Sequence, residues 1–278
     1  MISNSLKNFL LREKVIIITG GAGLLGRMHA EAILDGEGVP IILDIDDEKL
    51  IATKQIIEKK YSKKIFALNC DITKRLSVET CFKKIIKLTN RIDGLINNAA
   101  IDPKVGTSLS RQNLNRFEDL SLDTWNNELN VGLTGAFICS QIFGDYMAKQ
   151  KSGVILNIAS DLSIISPDQR LYEKDGVSED LQPVKPVTYS VIKTGLIGLT
   201  KYLATYWAKK GIRVNAISPS GVFNDQDYIF VQRIIKSIPL GRMANKEEYK
   251  SSIIYLLSDA SSYMTGFNLV VDGGRSCW

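Results

Sequence analysis

The stretch VIIITGGAGLLG, residues 15–26, decides the fold of this 278-residue chain. It opens with five consecutive β-branched residues, which predict a short buried strand. Glycines then recur at every third position before an apolar-periodic run over about 24–35, and this predicts a tight turn leading directly into a helix. A strand, a glycine turn and a helix in this order are typical of a unit that binds a dinucleotide pyrophosphate at the helix N-terminus. We assign this role to Gly20, Gly23, Leu24, Leu25 and Gly26.

Seven segments of the chain are short and almost continuously apolar, as strands covered on both faces of a sheet are. They are 15–20, 40–46, 64–71, 94–100, 153–160, 212–219 and 268–273. Helical patterns alternate with them at about 24–35, 47–60, 76–90, 122–149, 188–210 and 246–258. This alternation requires right-handed crossovers and therefore predicts a parallel sheet. We expect one α/β domain over residues 1–278, a Rossmann-type doubly wound seven-stranded sheet with helices on both faces.

The end of the second strand carries the acidic run LDIDD, residues 43–47. Asp44 follows the glycine turn by the distance at which a carboxylate accepts hydrogen bonds from the adenosine ribose hydroxyls. A carboxylate there repels a 2′-phosphate, and Asp46 and Asp47 strengthen the negative field. The sequence therefore favours NAD over NADP. A helix N-cap role suits Asp46 or Asp47 better than Asp44.

Composition excludes several other classes of protein. The net charge of +5 comes from scattered lysines without a basic stripe and interleaved aromatics, so we expect no nucleic-acid partner. No apolar run approaches 18 residues, so we expect no membrane span. The cysteines are widely spaced, as reduced thiols of a cytoplasmic protein are. The single histidine, His29, leaves little room for a metal site or a Ser-His-Asp triad, and we expect an ordinary packed or exposed side chain and no metal.

The segment VTYSVIKTG, residues 187–195, places Tyr189 and Lys193 one helical turn apart on the same face. The pair has two interpretations: a surface helix with one aromatic and one charge, or a phenol beside an ammonium that is ready to transfer a proton. Two long segments, at about 101–120 and 161–187, follow strand ends where ligands bind in such sheets.

Eight motifs resemble, in order and spacing, those of the short-chain dehydrogenase/reductase family, over nearly the whole chain. They are TGGAGLLG (19–26), CDIT (70–73), NNAA (97–100), LNVGLTGAF (129–137), NIAS (157–160), YSVIK (189–193), IRVNAISP (212–219) and SSYMTGFNLVVDGG (261–274). The resemblance implies a nicotinamide-dependent oxidoreductase whose hydride chemistry belongs to the cofactor.

The resemblance also implies a catalytic tetrad of Asn130, Ser160, Tyr189 and Lys193. Tyr189 would be the general acid in carbonyl reduction and the base in alcohol oxidation. Lys193 would lower the pKa of Tyr189 and bind the nicotinamide ribose. Ser160 would hydrogen-bond the substrate oxygen, and Asn130 would kink its helix and hold a water that relays protons to Lys193.

Further residues are implied to hold the cofactor, while Asn97 would stabilise the sheet centre. Beside the glycine turn, Asp44, Tyr189 and Lys193, the cofactor residues are Asp71, Ile72, Asn98, Ala99, Pro219, Gly221, Val222 and Asn224. Asp71 would hold the adenine, and Val222 would offer its backbone to the carboxamide. Asn224 would replace a threonine as a phosphate contact.

The chain also departs from the family pattern. Leu24 stands where the short branch of the family usually has its middle glycine, a spacing closer to the extended branch of nucleotide-sugar epimerases and dehydratases. The segment between Ser160 and Tyr189 is more than twice the usual length. Ser163 or Ser166 therefore remains an alternative to Ser160.

The 161–187 insertion carries many hydrogen-bonding side chains, which suits a polyhydroxylated or charged substrate. They are Asp168, Gln169, Arg170, Tyr172, Glu173 and Lys174. The alternative is that these groups only solvate a surface excursion. Residues 160–173, 182–207 and 272–278 are similar to oxidoreductases associated with flagellin modification and nonulosonic acid formation in bacteria, which implies a sugar or sugar derivative as substrate.

Three other functions remain open: a 3-oxoacyl-thioester reductase, a non-catalytic NAD-sensing protein, and an extended-branch dehydratase or epimerase. Too little chain follows YSVIK for the nucleotide-sugar subdomain of the last.

The apolar run LIGLTKYLATYW (196–207) is longer than sheet cover requires. In the family this helix and the one at 122–149 pair across subunits, which implies a homodimer or homotetramer; core packing would also explain the run.

Overall fold

A computed structural model describes residues 4–102, 105 and 114–278 of the chain. Within these ranges, seven strands form one sheet in which every pairing is parallel. They are β1 (Val15–Thr19), β2 (Val39–Asp44), β3 (Phe66–Asn69), β4 (Gly94–Asn97), β5 (Gly153–Ile158), β6 (Ile212–Pro219) and β7 (Asn268–Val271). Their spatial order is β3-β2-β1-β4-β5-β6-β7. The order changes direction between β1 and β4, which opens a crevice at their carboxyl ends, and the predicted doubly wound fold is confirmed.

The interior strand β1 is buried along its whole length because both faces of the sheet are covered by helices. Its side chains alternate between two apolar layers. Ile17 packs in the layer that contains Phe143, whereas Ile16 and Ile18 pack in the layer that contains Tyr249. The continuously apolar strand β1 therefore contributes side chains to the hydrophobic cores on both faces of the sheet.

Helices connect the strands at the positions that the periodicity predicts, with two exceptions described below. The helices are α1 (Asn4–Lys7), α2 (Leu24–Asp35), α3 (Asp47–Tyr61), α4 (Arg75–Thr89), α5 (Leu122–Leu129), α6 (Gly135–Gln150), α7 (Val187–Trp207), α8 (Tyr228–Ile234) and α9 (Lys250–Leu257). None of the helices in the described part of the chain is both long and apolar enough to cross a membrane.

The two exceptions have local causes. The helix expected over 122–149 contains a π-helical turn, Asn130–Thr134, between α5 and α6. Helix α8 was not anticipated because it is short, and Asp227 starts it by accepting hydrogen bonds from the N–H groups of Ile229 and Phe230.

Several predicted strands extend past the ends of the observed ones. The strand expected over 94–100 ends at Asn97, because the next residue, Asn98, donates its side-chain amide to the carbonyls of Thr19 and Gly20. Apolar residues therefore continue beyond the ladder of backbone hydrogen bonds, and composition alone overestimates strand length. Of the segment expected over 101–120, residues 103, 104 and 106–113 lie outside the described residues.

The 161–187 insertion folds against α8. It contains short 3₁₀ turns, among them Gln169–Tyr172. The ring of Tyr172 lies 5.4 Å from that of Phe230, and Leu171 packs in a small apolar cluster with Ile234. Arg233 of α8 donates to the carbonyl of Glu173. The insertion is therefore anchored to α8 by apolar contacts and hydrogen bonds.

Candidate active site

The turn between β1 and α2 is shaped to receive an anion. Gly20 has a φ of +62°, and a Cβ placed on it would lie 2.8 Å from the Cα of Ala99. A Cβ on Gly26 would lie 2.1 Å from the carbonyl oxygen of Gly20. Gly23 precedes α2, and no described side chain caps this helix, so the N–H groups of the first turn before Arg27 have no side-chain partner and can bind a ligand. The residues present therefore fit a dinucleotide pyrophosphate.

The acidic tip of β2 lies against this turn. The Asp44 carboxylate accepts hydrogen bonds from the N–H groups of Ala22, at 3.0 Å, and Asp46, at 3.2 Å. Asp46 is the N-cap of α3, where its side chain accepts from the N–H of Lys49 at 3.0 Å. Asp44 is therefore fixed in orientation beside the phosphate turn, and its remaining lone pairs can accept ribose hydroxyls.

Asp71 and Ile72 follow β3 at the same edge of the sheet. The Asp71 carboxylate accepts from the N–H and the hydroxyl of Thr73 and pairs with Lys74 at 3.0 Å, so it is engaged by its own loop. Ile72 is buried and fills the space beside Gly135, where a Cβ would lie 2.6 Å from its Cδ1. Asp71 and Ile72 thus follow the carboxyl end of β3, at the edge of the sheet where the glycine turn also lies.

Two adjacent asparagines, the last residue of β4 and the one after it, hold different parts of the site. Asn97 is buried and donates to Asn157 of β5 at 2.8 Å, and Asn157 in turn donates to Thr200 of α7 at 2.8 Å. This buried chain links two strands to the helix that carries Tyr189. Asn98 instead spans to β1, where its backbone N–H donates to the Thr19 hydroxyl at 3.1 Å and its side chain holds the carbonyl groups of the glycine turn.

Tyr189, Lys193 and Ser160 meet where β5 ends and α7 begins. The Lys193 ammonium donates to the carbonyl of Ile158 at 2.8 Å and lies 5.5 Å from the centroid of the Tyr189 ring. Ser160 is buried, and the hydrogen bond between its side chain and the Tyr189 hydroxyl lowers the pKa of the phenol. The start of α7 is fixed by Thr188, which donates to the buried carboxylate of Glu128.

The pKa values of this group differ from the expectation. Burial raises the pKa of Tyr189. The negative charges of Asp102 and Asp161 raise this pKa further, and the hydrogen bond with Ser160 lowers it. Burial also lowers the pKa of Lys193 to about 8. The pKa of Tyr189 is therefore raised in the chain by itself, and not lowered as predicted, because desolvation of the buried phenol outweighs the hydrogen bond with Ser160.

Asn130 begins the π-helical turn, and its predicted water-mediated link to Lys193 stays a prediction. Its side chain is exposed, and no hydrogen bond in the described part of the chain joins it to Ser160, Tyr189 or Lys193. Gly132, in the same π-helical turn, faces α7 instead, and a Cβ on it would lie 2.6 Å from Ile192. The helix is distorted at Asn130, as expected. The position of this turn that faces α7 is occupied by Gly132, which has no side chain.

The alternative serines point elsewhere. The Ser163 hydroxyl donates to the carbonyl of Ser160 at 2.6 Å and lies 3.2 Å from the Ser218 hydroxyl of β6. Ser163 and Ser166 line a cavity of about 510 Å³ whose lining includes neither Tyr189 nor the other catalytic candidates. The geometry favours Ser160.

The predicted residues at the end of β6 and just beyond it are held by backbone contacts. β6 ends at Pro219, and the loop beyond it is tied down where the N–H of Ala244 donates to the carbonyl of Gly221 at 3.2 Å. Val222 forms an isolated parallel bridge with Ala244, and its backbone is therefore fixed. Asn224 is exposed, with its backbone N–H held by the side chain of Gln226 at 2.7 Å.

Two charged groups of the site were not anticipated from the sequence. Asp161, next to Ser160, accepts from the serine hydroxyl at 2.9 Å and from the guanidinium of Arg275 at 2.8 Å, and both members of this ion pair are buried. Lys185 lies over the Tyr189 ring, with its ammonium 4.0 Å from the centroid. Lys185 precedes Pro186 and lies outside α7, so helical spacing gives no signal for it in the sequence.

Comparisons with known proteins identify the class to which this site belongs. The family model described as short chain dehydrogenase matches residues 14–172, more than half of the chain. The chain belongs to the short-chain dehydrogenase/reductase family. A second model, described as enoyl-(acyl carrier protein) reductase, matches residues 177–276. The chain is thus a member of an oxidoreductase family, and the resemblance found in the sequence is confirmed.

Relatives of differing function are similar over nearly the whole chain. The post-translational flagellin modification protein A of Campylobacter coli is 29% identical over 265 residues, covering 95% of this chain and 99% of its own length. The NAD-dependent glycerol dehydrogenase of Listeria innocua is 31% identical, covering 96% of each chain. The 3-oxoacyl-[acyl-carrier-protein] reductase of Aquifex aeolicus is 32% identical, covering 95% and 98%.

Solved structures share the fold. The short-chain dehydrogenase from Leptospira borgpetersenii, with bound NAD⁺, superimposes with a TM-score of 0.81 at 31% identity, covering 99% of this chain and 97% of that chain. A gluconate 5-dehydrogenase from Burkholderia cenocepacia, in complex with NADP and tartrate, has a TM-score of 0.84 at 23% identity, with 99% of this chain covered. The two neighbours carry different nicotinamide cofactors.

Proposed function

We propose that the protein is an NAD(P)-dependent oxidoreductase that transfers a hydride between the nicotinamide and a hydroxyl or keto carbon of a sugar or sugar derivative. The observation that carries the proposal is the convergence of Ser160, Tyr189 and Lys193 at the edge of the sheet that also holds the glycine turn. Proton-transferring groups and an anion-binding turn at the same crevice are what hydride transfer to or from a carbonyl carbon needs.

Each of the three side chains has a separate task. Bound nicotinamide dinucleotide would supply or accept the hydride. In reduction, the Tyr189 hydroxyl donates its proton to the substrate oxygen, and in oxidation it accepts the proton back. Ser160 holds the substrate oxygen beside Tyr189. The Lys193 ammonium donates to the carbonyl of Ile158 and lies 5.5 Å from the centroid of the Tyr189 ring. From there it stabilises the Tyr189 phenolate that forms during oxidation.

We propose NAD as the preferred cofactor. The Asp44 carboxylate lies beside the glycine turn, and Asp46 and Asp47 add negative charge at the same strand tip. A 2′-phosphate there would be repelled, whereas ribose hydroxyls can donate to the carboxylate. The relative from Listeria innocua, named as NAD-dependent, supports this preference. Asp44→Asn is expected to reduce the ratio of kcat/KM for NAD to that for NADP by about tenfold, which corresponds to about 1.4 kcal/mol.

A sugar-like substrate is supported by the polar insertion and by relatives. Asp168, Gln169 and Arg170 lie in the insertion beside Tyr172, which is half-buried against α8. A glycerol dehydrogenase and a flagellin modification protein are among the similar proteins. The second candidate is reduction of 3-oxoacyl thioesters, favoured by the relative from Aquifex aeolicus and by the model that matches residues 177–276.

We also propose self-association through a groove between α4, α6 and α7. Large side chains are exposed along it: Phe137, Tyr202 and Tyr206 are 48%, 63% and 63% exposed. The groove has a volume of about 660 Å³ and reaches Trp207. An apolar face of this kind is typical of a contact with a second copy of the chain.

The experiment is a substrate panel with a matched inactive variant. The purified full chain is assayed with NAD(H) and NADP(H) on polyols, aldonic acids, keto-sugars, amino sugars, nucleotide sugars and 3-oxoacyl thioesters. Turnover on a member of the sugar classes, lost by about a hundredfold or more in Tyr189→Phe, is the expected result. Turnover confined to thioesters would reject the sugar substrate, and unchanged activity of Tyr189→Phe would reject the mechanism.

A further inference from the structure

Lys185 is held rigidly at the edge of the active site. It stands between Pro183 and Pro186, whose rings restrict the backbone on both sides. The side chain of Gln169 clamps the Lys185 backbone, accepting from its N–H at 2.8 Å and donating to its carbonyl at 3.3 Å. The insertion therefore fixes the position from which this lysine reaches inward.

The side chain of Lys185 brings a second ammonium onto the catalytic tyrosine. Its Nζ lies 4.0 Å from the centroid of the Tyr189 ring, closer than the 5.5 Å of Lys193. Its side chain is only 10% exposed, whereas its ion-pair partner, Asp102, is 63% exposed at an Nζ–Oδ1 distance of 2.5 Å. A largely buried cation is thus neutralised by a carboxylate that remains in contact with solvent.

The surrounding charges make Asp102 the exchangeable member of the group. Asp161 is committed to Arg275 inside the protein, and Lys193 is bound to a backbone carbonyl. If Asp102 moves away, Lys185 is left as a desolvated cation without a counter-charge, which is strongly unfavourable. A ligand that carries its own negative charge can take the place of Asp102, whereas a neutral ligand cannot.

We propose that Lys185 is a specificity-determining residue that binds an anionic group, a carboxylate or a phosphate monoester, on a polyhydroxylated substrate in exchange for Asp102. The inference rests on the proposed function and narrows its substrate class to acidic sugars. Because Lys185 lies over the Tyr189 ring, the acidic group and the reacting carbon belong to the same short carbon chain.

The test compares matched neutral and anionic probes on four forms of the full chain. The probes are sorbitol, gluconate and sorbitol 6-phosphate, and the forms are the unaltered protein, Lys185→Met, Asp102→Asn and the control Lys209→Met, which replaces an exposed lysine beyond α7. Both kcat/KM and the dissociation constant from calorimetry are measured. The two anionic probes distinguish a carboxylate from a phosphate.

We expect the unaltered protein and Lys209→Met to favour an anionic probe over sorbitol by about tenfold or more, the size of one charge-assisted hydrogen bond. Lys185→Met should lose this preference. Asp102→Asn should bind the anionic probe more tightly, by roughly threefold or more, because the competing carboxylate is gone. A purely structural role of the pair would weaken every probe in both variants.

Two results would overturn the inference: no anionic preference in the unaltered protein by either measurement, or an equal loss for neutral and anionic probes in Lys185→Met. These are separable from failure of the proposed function. Turnover of sorbitol without an anionic advantage leaves the oxidoreductase intact and removes the role of Lys185. If gluconate binding depends on Lys185 but no sugar in the panel is turned over, the role of Lys185 is retained and the proposed oxidoreductase function on sugars is rejected.

Discussion

Lys193 shows how the site conflicts with stability at the scale of one residue. Burial lowers its pKa from 10.5 to about 8, so holding the side chain charged at neutral pH costs about 3 kcal/mol. The hydrogen bond to the carbonyl of Ile158 recovers only part of this cost. The charge therefore does not stabilise the fold, and we infer that it is retained for the proposed chemistry.

Replacing this lysine is expected to stabilise the protein. The unfolded chain holds the Lys193 proton up to about pH 10.5 and the folded chain only up to about 8, so stability rises with pH between these values. Lys193→Met should raise the free energy of unfolding at pH 7 by about 2 kcal/mol, after loss of the Ile158 hydrogen bond, and flatten the rise above pH 8. Urea unfolding at pH 7 and pH 9.5 measures both effects. A variant less stable than the unaltered protein at pH 7 would contradict this account.

His29 is buried in α2, as one of the two expected environments, and it makes stability sensitive to acid. Burial lowers its pKa to about 4, and the Asn98 side chain offsets only part of the shift. The unfolded chain binds a proton at His29 below about pH 6.5, while the folded chain stays unprotonated until about pH 4, so stability falls as pH decreases through this window. Between pH 7 and pH 5 the loss attributable to His29 is about 2 kcal/mol.

The check is His29→Gln, which keeps a polar side chain without a titrating proton. Urea unfolding of both proteins at pH 7 and pH 5 should show that the variant loses about 2 kcal/mol less. An equal loss in the two proteins would mean that other groups determine the acid sensitivity.

At the scale of elements, the buried pair of Asp161 and Arg275 joins three parts of the fold. Asp161 starts the insertion after β5, Arg275 follows β7, and the Ser220 hydroxyl after β6 donates to the same carboxylate at 2.7 Å. The Ser160 hydroxyl also donates to it at 2.9 Å. The orientation of Ser160 therefore depends on the C-terminal segment.

Arg275→Met is expected to leave the Asp161 carboxylate buried without a counter-charge. Removing one partner of a buried pair costs about 3 kcal/mol or more, and the turnover that depends on Ser160 should fall with it. The second variant, Asp161→Asn with Arg275→Met, removes the stranded charge and should recover part of the stability. Arg242→Met, which breaks an exposed pair with Glu248, is the control and should cost about 1 kcal/mol or less. Denaturant unfolding compares the three variants, and a loss in Arg275→Met no larger than in the control would refute the role of the pair.

At the scale of the whole molecule, the exposed aromatic face on α6 and α7 determines the assembly that we propose. The rings of Tyr202 and Tyr206 stack at 5.7 Å and are both 63% exposed. Tyr206→Glu should place a charge in the contact and reduce the molar mass measured by light scattering at micromolar concentration. Ile51→Glu, which introduces the same charge at an exposed apolar residue of α3, should leave the mass unchanged. An unchanged mass in Tyr206→Glu would exclude this face as the contact.

The sequence by itself determined the elements of the fold. Continuous apolar runs predicted the strands of the parallel sheet, and β6 occupies the predicted range, Ile212–Pro219. The spacing of Tyr189 and Lys193 placed both on one face of a helix, which the structure shows as α7. These features are local, because strand burial and helical periodicity depend on residues a few positions apart.

Tertiary structure alone decided which side chains meet. Lys185 pairs with Asp102 across 83 positions of sequence, and Arg275 pairs with Asp161 across 114. The π-helical turn exposes Asn130 and directs Gly132 toward α7, although both lie in one motif. A pattern of residues fixes the periodicity of each element, but the contacts between elements depend on topology and close packing, which local spacing does not encode.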